Sequence, residues 1–358
     1  MKKILRIKER HDVLSYVHYI NPLSSILWNE NKADWIHEHF TNIYLIRESN
    51  NYLWLDYLED EDYMRDVCSQ ETMSIQKFMT CFNESVSLID LIRKHLNEDF
   101  YLILFADSFY LKGTPSFQEK HEYFGAYLYG YDDETESLYG LGYRNNGTYG
   151  TISYSYDAFE EAVKSVLRVS HENEIWIEWY MLTRLKIIDE SLKYQYYPDN
   201  FIRQVEEFLD SCGDESRLRP DTILCRGTNA SYGLNAQNGL IKAFDELYDD
   251  KYVMDYRYVY LLSEHKKLLY NKLKRYHEFS QEDFSYFVEA YNDLSKQFSL
   301  AKDYYLINVL KDNDTKTNVY GMLKNKKAIL SIKGMLEKAS AEEEELLRAF
   351  LAKVKENS

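Results

Sequence analysis

Cysteine is sparse in this chain and badly spaced for cross-linking. The 358 residues contain four, Cys68, Cys81, Cys212 and Cys225, with no C-x-x-C pair and no dense framework. The pattern reads as reduced thiols in a cytoplasmic protein. Long apolar runs are missing too. Nothing approaches the roughly 18 consecutive apolar residues of a membrane span, and no apolar stretch follows Lys2 and Lys3 to make a secretory signal. Neither G-x-G-x-x-G nor a Walker motif occurs, which argues against nucleotide dependence. Positive charge is in deficit. With 43 Lys and Arg against 59 Asp and Glu the net charge is −16, whereas a nucleic-acid surface needs clustered cations to displace counterions from phosphates. A metal site is not expected: His37 and His39 are two apart, a strand spacing, with no third ligand nearby. Internal repeats and low-complexity linkers are absent.

Aromatics are plentiful. They make up 16% of the chain and include 34 tyrosines. The coding bias of an AT-rich genome and a stacking surface for a ligand both account for this. The length suits two domains of roughly 100–200 residues each. The first half is mixed. Asn21 and Pro22 read as a helix cap and first helical residue. Strand-like runs follow at 43–46 and 52–57, then an amphipathic helix near 74–96. Strands at 100–106, 123–131, 137–143 and 149–155 and a helix near 156–168 complete the set, with a turn at Asp132 and Asp133. One helix followed by a sheet is α+β order, not the alternation of a doubly wound sheet.

The second half reads as helical. A helix opens at Pro198, runs to about Ser211 and stops at Gly213. A loop covers 213–233, and helices follow near 235–248, 255–277, 281–310 and 317–338. Ser340 and Glu343 have the spacing of a capping box that opens a last helix. The change of period divides the chain into 1–172 and 173–358.

Two stretches carry a family resemblance. The first runs from Leu102 through Asp107 and Tyr110 to Leu111, and resumes at Tyr123, Phe124 and on to Gly130 and Asp133. The second runs from Asp255 through Arg257, Glu264, His265 and Lys266 to Leu269. In this order they resemble the butirosin-biosynthesis acyltransferase-like family of specialised-metabolite gene clusters, often found beside peptide synthetases. The resemblance implies a papain-like α+β domain over 1–172 and a mainly helical domain over 173–358. It also implies transfer of an aminoacyl group from a carrier-protein thioester to an amine, in antibiotic or nonribosomal-peptide biosynthesis. No bound cofactor is implied beyond the phosphopantetheine arm of an acyl or peptidyl carrier protein. The partners implied are that carrier and a small amine or amino-acid-derived substrate, with a homodimer left open, and neither nucleic acid nor membrane.

Such chemistry needs a thiolate at a helix N-terminus, a His to take its proton, and an Asp or Asn to orient the His. In the family pattern His18 stands where the Cys belongs, Phe124 stands where the His opens its strand, and the third role falls near Gly142. All three roles are vacant in this alignment. The site could have been rebuilt. His121, three residues before Phe124, could swing into reach with Asn145 or Asn146 orienting it. His18 could serve as a general base on a bound amine, or simply be a polar residue of a vestigial cleft. Ser24 could be a displaced nucleophile or, like Ser25, a back-bonding helical serine. Two functions therefore stay open: acyl transfer without a Cys nucleophile, and a pseudoenzyme that binds carrier or product as a scaffold or regulator.

The remaining candidates are binding residues. Asp107, with Tyr110, Tyr123, Phe124 and Asn145, could hold the ammonium of an aminoacyl group, and Asp107 could equally cap its own loop. Asp255 and Arg257 flank the start of a helix whose apolar stripe includes His265, so this histidine reads as a core residue or a ligand. Arg257 and Glu264 are seven apart, which allows a buried pair between the domains. Arg217, Arg219 and Arg226 could meet a phosphopantetheine phosphate or an acidic carrier, or be solvated loop charges.

Overall fold

A computed structural model of the chain describes residues 1–47, 53–59, 64–74, 87–172, 181–214, 217–218, 229–249, 251, 254–310 and 325–356. It is mixed α+β with antiparallel sheets. The chain folds as two units, Met1–Ala33 with Met64–Tyr194, and Asp34–Tyr63 with Gln195–Ser358. A single cut near residue 172 is therefore replaced by an exchange in which an early segment, 34–63, joins the C-terminal half. Among the described residues no helix is long and apolar enough to cross a membrane.

The first unit is built on a sheet of seven strands: β1 (Lys2–Ile4), β4 (Cys68–Ser74), β5 (Tyr101–Asp107), β6 (Tyr123–Asp132), β7 (Ser137–Tyr143), β8 (Tyr149–Ser155) and β9 (Met181–Ile187). Their order is β4-β9-β5-β6-β7-β8, every pairing is antiparallel, and β1 pairs with the far end of β6. The β7–β8 hairpin closes where the Arg144 N–H donates to the Thr148 carbonyl at 2.8 Å, with Gly147 at φ +78°. Only glycine adopts that conformation without strain. Among the described residues three helices pack on the sheet: α1 (Val17–Ile26), α2 (Leu88–Asn97) and α3 (Tyr156–Glu172). Phe159, Ala162, Val163 and Val166 make the buried stripe of α3, and Leu102, Leu104 and Ala106 are buried on β5.

Two local expectations fail in this unit. Helix α1 starts one turn before Asn21, which is buried inside it and accepts the Tyr149 hydroxyl at 2.6 Å instead of capping. Pro22 sits in the helix interior, where its ring removes one backbone donor. Residues 68–74 form β4, an edge strand laid on β9, while α2 starts only at Leu88 with Ser87 as cap. Residues 75–86 of the expected helix lie outside the described residues.

The second unit has a small sheet of β2 (Ile43–Arg47), β3 (Leu53–Tyr57) and β10 (Ala230–Tyr232), in the order β10-β2-β3. Its helices are α4 (Pro198–Leu209), α5 (Gly233–Tyr248), α6 (Tyr256–Phe279), α7 (Ser285–Leu310) and α8 (Lys326–Glu356). Gly233 opens α5 at φ +53°, and a Cβ there would lie 2.2 Å from the Phe208 carbonyl oxygen. The capping box at Ser340 does not exist. Helix α8 runs unbroken through it, and both Ser340 and Glu343 are buried mid-helix. A polar side chain that could cap a helix was recruited into the core instead.

Candidate functional site

In the first unit the chain assembles a carboxylate–imidazole pair at the end of β5. Asp107 ends the strand and caps the short turn Ser108–Tyr110, its Oδ1 accepting the Phe109 N–H at 3.1 Å. Its Oδ2 accepts from His121 Nδ1 at 2.6 Å and from the Ser165 hydroxyl at 2.7 Å. Asp107 has no exposed surface, while the His121 side chain is 52% exposed. A buried carboxylate thus holds Nδ1–H and turns the Nε2 edge outward.

The loop from 108 to 122 places that ring. The Ser108 N–H donates to the Glu122 carbonyl at 2.9 Å and the Gln118 N–H to the Phe109 carbonyl at 3.0 Å. Thr114 Oγ1 donates to the Ser108 and Leu111 carbonyls, and Ser116 bonds the Glu122 carboxylate. His121 stacks on Phe109 with centroids 4.5 Å apart and 25° between planes, and Tyr110 lies 6.1 Å away. Tyr123 pairs with Asp107 across β5 and β6. Burial, with the Asp107 carboxylate beside it, raises the Tyr123 phenol above its ordinary pKa.

The sequence supplied His121 and Asp107 in separate roles, one as a mobile base and one as an ammonium holder. The structure joins them, with both oxygens of Asp107 engaged inside the protein. Asn145 does not orient His121. It is exposed, and its N–H donates to the Gly113 carbonyl at 2.8 Å, while Asn146 accepts from Thr148. Phe124 is half-buried on β6, paired with Ala106. Ser165 was missed. Its one signal in the sequence is a polar residue set within the apolar stripe of α3.

Helix α1 carries no nucleophile. His18 stacks on Tyr16 with centroids 5.2 Å apart, and Tyr19 lies tilted at 54° to it, 4.2 Å away. Ser24 has no exposed surface and donates to the Ile20 carbonyl at 2.8 Å. Ser25 bonds back to the Pro22 carbonyl at 3.1 Å and meets the Tyr127 hydroxyl. Both serines satisfy the back-bonding pattern. Cys68 is buried on β4, and burial pushes its thiol up to about 12.

In the second unit Asp255 caps α6, accepting the Arg257 N–H at 2.9 Å and its guanidinium Nε at 2.8 Å. The expected pair of Arg257 with Glu264 is thus replaced by a pair with the helix cap. His265 is wholly buried. Its Nε2–H donates to the Thr41 carbonyl at 2.7 Å and its Nδ1 accepts from Lys266 at 2.9 Å. Burial and the adjacent Lys266 hold its pKa well below the ordinary value, so the ring is neutral. The Lys266 ammonium also pairs with Glu343 at 2.9 Å and lies over the rings of Phe208 and Phe298. Glu343 further accepts from Gln237 at 2.9 Å and from the Tyr291 hydroxyl. Lys272 is buried as well, with its ammonium on Thr41 Oγ1 at 2.7 Å.

Arg217 donates to Glu207 and to the Leu58 carbonyl, each at 3.1 Å, which draws it away from a phosphate role. Arg219 and Arg226 lie outside the described residues. His39 pairs with Glu59 at 2.9 Å and stacks on Trp35. No family model matches this chain, and no curated protein matches it.

Proposed function

We propose that this chain is an acyltransferase-like protein of papain-like design that works without a covalent nucleophile. In this reading His121, oriented by Asp107, is the general base. The observation that carries it is the wholly buried carboxylate at 2.6 Å from a half-exposed imidazole. The donor is an acyl or peptidyl carrier-protein thioester entering on its phosphopantetheine arm, and the acceptor is a small amine. The amine attacks the thioester carbonyl directly. His121 Nε2 takes the proton that the attacking nitrogen sheds and returns it to the departing thiolate, giving an amide and a free carrier thiol. General-base assistance of this kind contributes roughly 10²–10⁴-fold. Phe109, Tyr110 and Tyr123 supply an aromatic wall for the acyl group.

The test is intact-mass detection of acceptor acylation from an aminoacyl-loaded carrier. His121→Ala and Asp107→Asn should each reduce turnover at least about 100-fold, while Ser24→Ala should leave it within about twofold because that hydroxyl is spent inside its helix. Full activity in His121→Ala would overturn the general-base role. A second reading, a pseudoenzyme that binds the loaded carrier without turnover, is favoured by the buried Cys68 thiol and the back-bonded Ser24. Saturable carrier binding with no acylation by the unmodified protein would select it.

A further inference from the structure

We infer that Ser165 is a positioning residue for His121, acting through Asp107, whose Oδ2 it shares with the imidazole. An ionised carboxylate only accepts, and a serine hydroxyl has a single proton. The Ser165 proton is committed to Asp107 Oδ2 at 2.7 Å. The Ser165 O–H and the His121 Nδ1–H thus meet on the same carboxylate oxygen. The two donors come from different elements, α3 and the loop before β6.

The arrangement solves a rotational problem. The Phe109 N–H anchors one oxygen of Asp107 at 3.1 Å, which alone leaves the carboxylate free to twist about that contact. Ser165 is nearly buried, at 5% exposure, and fixes the second oxygen from the helix side, so that its remaining lone pair points at His121. Without the Ser165 hydroxyl the carboxylate can turn and the imidazole loses its fixed tautomer. The inference rests on the general-base reading for its consequence in catalysis, and on geometry alone for the positioning.

The experiment measures the His121 Nδ1–H directly, by proton and nitrogen NMR of protein labelled at histidine, with the resonance assigned by its loss in His121→Ala. Ser165→Ala should speed exchange of this proton with water at least tenfold, and Ser165→Thr should restore slow exchange. In the acylation assay Ser165→Ala should lower kcat five- to tenfold with KM unchanged. Unchanged exchange in Ser165→Ala would overturn the inference. Faster exchange with no acylation by any variant, the unmodified protein included, would leave Ser165 in place and remove the acyltransfer reading instead.

Discussion

Lys272 offers the sharpest test of the energetics of the second unit. The residue is 1% exposed, its ammonium bonds the Thr41 hydroxyl at 2.7 Å, and burial lowers its pKa from 10.5 to about 7 despite the pull of Glu59. Among the described residues, three hydrogen-bond donors and a full charge thus meet one hydrogen-bond acceptor, the neutral Thr41 hydroxyl. A pKa lowered from 10.5 to about 7 corresponds to a penalty of about 5 kcal/mol on the charged form. The sign follows from linkage. Between those two values the unfolded chain holds a proton that the folded chain does not, so stability rises with pH across this window. The gain from pH 7 to pH 9 is about 2 kcal/mol from this group, and it fades as pH falls toward 7. Lys272→Met keeps the stem and removes the charge. We expect the variant to be more stable than the parent by about 2–3 kcal/mol at pH 6 to 7, after about 1 kcal/mol is lost at the Thr41 hydroxyl, and the advantage to shrink toward pH 9. Urea unfolding followed by circular dichroism at pH 6, 7, 8 and 9, with the m-values compared, reads both effects. Parallel pH profiles, or a variant less stable at pH 6, would refute the reasoning.

Two further outcomes follow from buried groups. Glu343→Gln removes the carboxylate bonded to the buried Lys266 ammonium and should cost about 3–5 kcal/mol, most of it recovered in a Lys266→Met, Glu343→Leu double variant. A Glu343→Gln loss under about 1 kcal/mol would show that Lys266 is already neutral in the fold. Cys68, with its thiol pushed up to about 12, should resist iodoacetamide at pH 8 until the protein unfolds, while exposed Cys212 reacts at once. Peptide mapping that finds the two labelled at similar rates would restore a reactive thiol to the first unit.

Local pattern was a good guide wherever the determinants of an element lie within it. The strands at 137–143 and 149–155 were legible to the residue, because alternation and a tight turn suffice to place a hairpin. The pattern of α6 likewise placed His265 on an apolar face. The same local reasoning misplaced Ser340 and Glu343. A capping box and a buried polar pair inside a long helix share one spacing, and what separates them is Lys266 and Gln237, which lie far away in the chain. It also put the strand-like runs at 43–46 and 52–57 in the first half of the chain, whereas β2 pairs with β10, nearly two hundred residues later.

The candidate site divides along the same line. The sequence by itself determined that no cysteine stands at the start of α1, that His121 and Asp107 lie within 14 residues of each other, and that the net charge is −16. Only the tertiary structure decided that Asp107 turns inward, that Asp107 rather than Asn145 meets His121, and that Ser165 closes the group from α3. The reason is physical. Residue type sets which hydrogen bonds a side chain can make, but burial and the packing of distant elements set which partner it finds, because a buried polar atom must be satisfied by whatever the fold brings within about 3 Å.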